Sequence, residues 1–289
     1  MMDEPCGGYD KLAQSNKSPL PTMLETLLYA LCALAYLGLA AWFWPGRPGC
    51  CRTDWLPHLL PVFPLLLHLY LLNEGVFGGE GIRLGFSTSI SAVAALTVLT
   101  YAAASWRYHL AGVQGFVLAF AGLAVVIEAI SPMPHPAAHS AMPVFKLHLA
   151  MAFSAYSLFT VAALHALLIA LAQKHLHKAV PPAVVAGLPP LLTLEKLLFR
   201  MIQVGFVLLT LTLLTGVLFS EEIFGKAVTL NHKTVFGIAS WLIFGALLLG
   251  RRIYGWRGRT AIYWTLAGFM SLMLAYVGVK FVLEVLLGR

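Results

Sequence analysis

Eight long apolar stretches, separated by short polar ones, constrain this chain more than any other feature. They lie near 22–45, 55–72, 84–105, 111–132, 147–172, 197–220, 232–250 and 262–286. About 20 apolar residues suffice for a helix to cross a bilayer core of roughly 30 Å. Inside hydrocarbon the backbone must satisfy its own polar groups, so each stretch is expected to be helical. The sequence therefore predicts an all-α, polytopic integral membrane protein with eight transmembrane helices. Composition rules out the alternative. Of 289 residues, 60% are hydrophobic and only 11% are charged. A soluble chain carries roughly 25% charged residues, so this one has too few to cover a water-facing surface. A soluble enzyme is excluded.

The spans fill residues 22–289 as one membrane domain, behind a polar tail at 1–21. The second stretch is the most irregular, with Pro57, Pro61, Pro64, His58 and His68. The first is not expected to be a cleaved signal. The tail sets Asp3, Glu4 and Asp10 against Lys11 and Lys17, and the apolar run exceeds a signal core of about 7–15 residues.

Charge then gives sidedness. Short loops rich in Lys and Arg stay in the cytoplasm. The loop after the seventh span holds Arg251, Arg252, Arg257 and Arg259. With that loop inside, so are Arg47, Arg52, Arg107, Lys174, Lys178, Lys196 and Arg200, giving 11 basic residues against Asp54 and Glu195, a net of +9. The outer side holds 8 basic and 10 acidic residues, a net of −2, and the two sides together make the overall +7. Both termini are expected outside. The positive charge needs no nucleic acid as a partner.

The four cysteines form no framework. Cys6 is in the tail, Cys32 is within a span, and Cys50 and Cys51 are neighbours in a cytoplasmic loop, where thiols stay reduced. Cys32 is expected to be a packing residue. The longest loop, 174–196, carries Pro181, Pro182, Pro189 and Pro190 at the cytoplasmic surface. Residues 191–200 read as a short amphipathic helical approach to the sixth span, with Glu195, Lys196 and Arg200 near the interface. There is no convincing internal repeat. Only the second span looks broken, which argues against an inverted-repeat transporter.

Ten histidines carry the chemical information. Neutral imidazole ligates haem iron and transition metals. Sidedness sorts them. His148 and His232 each open a span at its outer end, His68 lies near the outer end of the second span, and His135 and His139 lie in an outer loop. A lone interfacial histidine is more often a cap or a snorkelling side chain. The co-facial pair His148 and His232 is stronger, because two imidazoles on opposite faces of a planar macrocycle make a bis-histidine haem site. A metal site from His135 and His139, with one or both of the pair, is the weaker alternative. His165 sits 17 residues below His148, about 25 Å at helical rise. Such depth suggests either function or a neutral imidazole bonded to a helix carbonyl. His58 could face it, and His109, His175 and His177 read as solvated.

Glu128 is the one acid well within a span, about a turn from its outer end. It reads as a snorkelling carboxylate, with a pairing to Lys280 conceivable. Ala152, Ala155, Ala162, Ala163 and Ala166 mark a small-residue packing side on the fifth span. Trp241, Trp256, Trp264, Tyr254 and Tyr263 read as interfacial anchors.

The second half also resembles a known family. It is carried by Asn231 to Thr234, Ser240-Trp241, Gly255 to Gly258, Leu266 to Phe269 and Tyr276 to Phe281. Leu147-His148, Tyr156 and the run from Leu194 to Arg200 add to it. Together these stretches, across about 145–284, resemble the cytochrome c assembly protein family (the CcsA/CcmC/HemX group), most closely its YpjD-like or HemX-like branch. The first four spans match in hydropathy alone. The resemblance implies a bacterial inner-membrane protein handling haem at the periplasmic face, the side on which the charges put the tail and both termini. It implies haem b as cofactor at the periplasmic face, His148 and His232 as axial ligands, and other cytochrome-assembly or membrane proteins as partners, while His68 and His165 are weaker haem candidates from their own positions. One departure is clear. Haem-delivery members carry a tryptophan-rich segment ending in Trp-Asp before the seventh span, whereas residues 219–232 contain no Trp. The expectation is therefore haem binding without independent catalysis. Two other readings stand beside it: a divalent metal-ion transport or tolerance component, and a membrane scaffold or regulator of a haem-biosynthesis enzyme.

Overall fold

The structure is a computed structural model, and it describes residues 23–44, 59–77, 82–106, 113–131, 142–175, 190–219 and 232–275. Eight helices run through them: α1 (Met23–Trp42), α2 (Val62–Phe77), α3 (Phe86–Ser105), α4 (Gln114–Ile130), α5 (Pro143–His175), α6 (Leu191–Leu218), α7 (His232–Tyr254) and α8 (Arg259–Met273). Five of them, α1, α3, α5, α6 and α7, are long and apolar enough to cross a membrane, and α2 and α4 are shorter apolar helices. The protein is an all-helical membrane protein.

Two boundaries moved for physical reasons. The second helix begins at Val62, after a turn at Leu60 and Pro61, and reaches Phe77, beyond the expected end at 72. Pro61 precedes the first turn and Pro64 lies within it, where a missing backbone N–H costs no intrahelical bond. The Pro61 carbonyl accepts from Leu65 at 3.1 Å. The amphipathic approach at 191–200 runs straight into the sixth span, as expected. It is the first part of the 28-residue α6. The last span is described as far as Ala275.

The bundle has two halves. In the first, α4 packs on α1 and α3, and α2 on α3 and α1. In the second, α6 and α8 pack on α5, and α7 on α6 and α8. Helices α3 and α5 join the halves, with Thr100 Oγ1 3.1 Å from Ser157 Oγ. Lipid matches the side chains in polarity, so association rests on close packing and on polar clasps between helices. Phe159 of α5 and Phe244 of α7 stack with centroids 3.9 Å apart. Gly268 of α8 makes room, since a Cβ there would lie 2.8 Å from the Phe244 ring. Ser240 Oγ donates to the Gly268 carbonyl at 3.0 Å, and Tyr156 Oη donates to the Leu272 carbonyl at 2.9 Å. Threonines within spans turn their hydroxyls onto their own helix, as Thr160 does to the Tyr156 carbonyl at 2.8 Å. Large apolar side chains on the outside of α6 and α7, among them Val207, Leu211, Leu242 and Leu249, are exposed and suit lipid contact.

At the α5 C-terminal end, the turn between α7 and α8 is held by a buried carboxylate. Glu195 Oε1 accepts the Gly258 backbone N–H at 2.9 Å, and Oε2 lies 4.0 Å from Arg251 Nη1. Gly258 has φ +56°, in the left-handed region that favours glycine. Arg251 also spans the Phe199 ring, 4.1 Å from its centroid. Glu195 was expected near the interface but is buried at 8% exposure. Trp256 and Trp264 lie 5.2 Å apart beside it, so they pack on the turn.

Candidate functional site

His148 lies in the second turn of α5, half-buried, at the end where α6 finishes and α7 begins. Its Nδ1 is 2.9 Å from Thr215 Oγ1 on α6. The threonine hydroxyl donates to its own helix, at 2.9 Å to the Leu211 carbonyl and 3.1 Å to the Thr212 carbonyl. With that hydroxyl proton turned to its own helix, the threonine oxygen accepts and the imidazole donates through Nδ1–H. That assignment places the basic lone pair on Nε2. A metal-ligating histidine is commonly fixed this way, with the second ring nitrogen donating to a supporting acceptor. Gly216 keeps the neighbouring space open, since a Cβ there would lie 3.4 Å from His148 Cε1.

The same end carries apolar surface. Leu147, Leu214, Val217, Leu218 and Val235 are exposed around it. An imidazole with its lone pair oriented, beside apolar surface, fits a flat apolar macrocycle carrying a ligand-seeking iron. His232 is the first residue of α7 and is exposed at this end. Helices α5, α6 and α7 thus bring His148, Thr215 and His232 to one end of the second half.

The other candidates fall elsewhere. His165 is fully buried in α5, and its Nδ1 donates to the Val161 carbonyl of its own helix at 2.9 Å. This bond is the neutral-imidazole arrangement, yet Nε2 remains buried without a partner. His68 is fully buried in α2, in the first half, with Nε2 2.7 Å from Ser91 Oγ on α3. Glu128 is buried at 8% exposure instead of snorkelling to the surface. His175 is half-buried and bonded to the Leu171 carbonyl. Cys32 is a buried packing residue whose thiol faces the Pro64 carbonyl at 3.6 Å. His58, His109, His135, His139, His177, Cys6, Cys50, Cys51 and Lys280 lie outside the described residues, and with them the suggested His58–His165 and Glu128–Lys280 pairings. Among the described residues no group of three or more His, Cys, Asp and Glu side chains could hold a metal ion.

Sequence reading missed Thr215. The signal was present, since a hydroxyl three residues from the end of α6 meets a histidine in the second turn of the antiparallel α5. Only the helix pairing shows that their heights match.

Fold and site together define the class: a multi-helix membrane protein presenting an oriented histidine at one end of its second half. The family model described as "Cytochrome C assembly protein" matches residues 55–287. The chain belongs to that family. It is 30% identical over 229 residues to inner membrane protein YpjD of Escherichia coli strain K12, covering 78% of this chain and 85% of that protein. It is 39% identical over 88 residues to cytochrome c biogenesis protein CcsA of Prochlorococcus marinus strain MIT 9515, covering 30% of this chain and 28% of that protein. A cytochrome c biogenesis protein CcsA of Gloeobacter violaceus is 33% identical over 92 residues, covering 32% and 27%.

Proposed function

We propose that this protein is a bacterial inner-membrane haem-handling component of cytochrome c assembly, binding haem b at the outer, periplasmic end of α5–α8. Membership of the cytochrome c assembly family and the similarity to an inner membrane protein support the setting. The observation that supports the reading is the 2.9 Å Thr215–His148 contact, which engages Nδ1 and leaves Nε2 as the nitrogen offered to a ligand. His148 and His232 would hold the haem iron, with His68 and His165 as weaker candidates. The chain's own role is to bind, orient and present. Thr215 fixes the His148 tautomer, Gly216 keeps the ring accessible, and the surrounding leucines and valines meet the apolar macrocycle edge. Bound haem would supply an iron that takes nitrogen ligands and changes oxidation state. Other assembly proteins would receive or supply the haem.

The test is the absorption spectrum of protein purified from haem-replete cells, with His148→Ala and His232→Ala beside it. The expected result is a Soret band that is strongly reduced in both variants. No band, or a band both variants keep, overturns the ligand assignment.

A further inference from the structure

The end of the bundle opposite His148 presents charge of one sign. Arg252, Arg257 and Arg259 are exposed there, around the turn between α7 and α8. Of the described carboxylates only Glu195 lies at this end, and it is buried and engaged by the Gly258 N–H and by Arg251. No described carboxylate pairs with the three exposed arginines. The turn that carries them is well fixed. Arg251 Nη1 donates to the Trp256 carbonyl at 3.3 Å, and the Trp256 backbone N–H donates to the Gly250 carbonyl at 3.3 Å. The Trp256 ring lies so close on Gly250 that a Cβ there would collide with it. Gly255 and Gly258, at φ +68° and +56°, supply left-handed backbone on either side of Trp256 and Arg257. The backbone positions of the three cations are therefore set before any partner arrives.

Below the arginines the surface is apolar. Leu242 and Leu249 on α7, and Tyr263 and Met270 on α8, are each more than half exposed. Residues seven apart lie within about 20° of each other around a helix, so each pair marks one face. Arg252 follows Leu249 by three residues and Arg259 precedes Tyr263 by four, so each face ends in a guanidinium. From Leu242 to Arg252 the helix rises about 15 Å, and from Arg259 to Met270 about 16 Å, each close to half of a bilayer core of roughly 30 Å. Cations above an apolar surface of one leaflet's depth match an amphiphile with an anionic head. An acidic soluble protein would meet the cations and leave the apolar faces unused. Phosphate is the anion that the guanidinium fork fits, through two parallel N–H···O bonds.

We propose that this end of the protein binds an anionic phospholipid, its phosphate held by Arg252, Arg257 and Arg259 and its acyl chains laid along α7 and α8. Native mass spectrometry of the full chain released from detergent micelles tests this, with phosphatidylglycerol as the anionic probe and phosphatidylcholine as the zwitterionic one. The wild type should retain phosphatidylglycerol in preference. Each of Arg252→Gln, Arg257→Gln and Arg259→Gln should weaken that retention about fivefold, and the triple Arg→Gln variant should lose most of the preference. The triple Arg→Lys variant keeps the charge but not the fork, and should fall between the two. Melting of the lipid-free proteins checks folding, and the single variants carry the test if the triple one does not fold. No preference in the wild type, or one that the folded Arg→Gln variants keep, overturns the proposal. Displacement of the lipid by inorganic phosphate, or by glycerophosphoglycerol, which is the headgroup without its chains, overturns it in favour of a soluble anion. Displacement by a polyglutamate peptide overturns it in favour of an acidic protein. None of these outcomes depends on haem.

Discussion

At the residue scale, the protein depends on hydroxyls that act as hinges between polar groups on different helices. Thr215 is one. Its oxygen lies 2.9 Å from His148 Nδ1, so Nδ1 is engaged on α6 and Nε2 is the nitrogen turned away from it. Thr215→Val keeps the volume and removes the acceptor. Losing a supporting partner of a metal-ligating histidine typically costs about 10–100-fold in affinity. We expect haem titrated into the purified Thr215→Val protein to bind weaker by that order, and Thr215→Ser to stay near wild type. Equal affinity in all three would detach Thr215 from the site. Ser91 is another hydroxyl that meets an imidazole across helices, 2.7 Å from His68 Nε2. Its position was silent in the sequence, where it is one of four serines in an alanine-rich span. His68 and Glu128 were legible as unusual residues in apolar runs. That His68 meets Ser91 was not, because they lie on different helices, 23 residues apart in the chain.

At the element scale, aromatic rings and small residues replace the hydrophobic drive that water gives soluble bundles. The Phe159–Phe244 stack is wedged against Gly268, and nothing flexible stands there to give way. Gly268→Leu should overpack α7 against α8 and cost about 1–3 kcal/mol, with thermal unfolding in detergent at a lower temperature. Phe244→Ala should cost about 3–5 kcal/mol through the cavity it leaves. At the opposite end from His148, Glu195 closes the α7–α8 turn. Glu195→Ala leaves the Gly258 N–H without its acceptor, at about 1–3 kcal/mol. Glu195→Gln keeps an acceptor oxygen and should recover most of that loss in the same melt. A melt unmoved by Glu195→Ala would mean the turn holds by its tryptophans alone. The sequence showed the helices through their apolar length. It misjudged the bounds of α2, since hydropathy does not mark where a proline-rich apolar run turns helical.

At the scale of the whole molecule, the charge asymmetry makes a prediction about sidedness. Glu195, Arg251 and Trp256 gather at the end opposite His148. With the arginine-rich loop inside, a reporter enzyme that folds only outside the cytoplasm should be active when fused after Arg289 and inactive when fused after Arg257. The reverse pattern would invert the molecule and move His148 to the cytoplasmic face. The molecule also divides its chemistry. The second half holds the oriented histidine, and the first holds the buried His68–Ser91 contact, with α3 and α5 between them.

The sequence by itself determined that the chain is helical and membrane-embedded, because apolar length and scarce charge permit no other backbone in hydrocarbon. It also carried the family resemblance and singled out His148, His68 and Glu128 as residues out of character with their surroundings. Only the tertiary structure decided what each one meets. Whether a buried imidazole faces its own helix, as His165 does at Val161, or a hydroxyl on another, as His148 and His68 do, depends on helix rotation and relative height. Those are set by how rings, glycines and alanines pack between helices, and a one-dimensional hydropathy pattern holds no record of that packing.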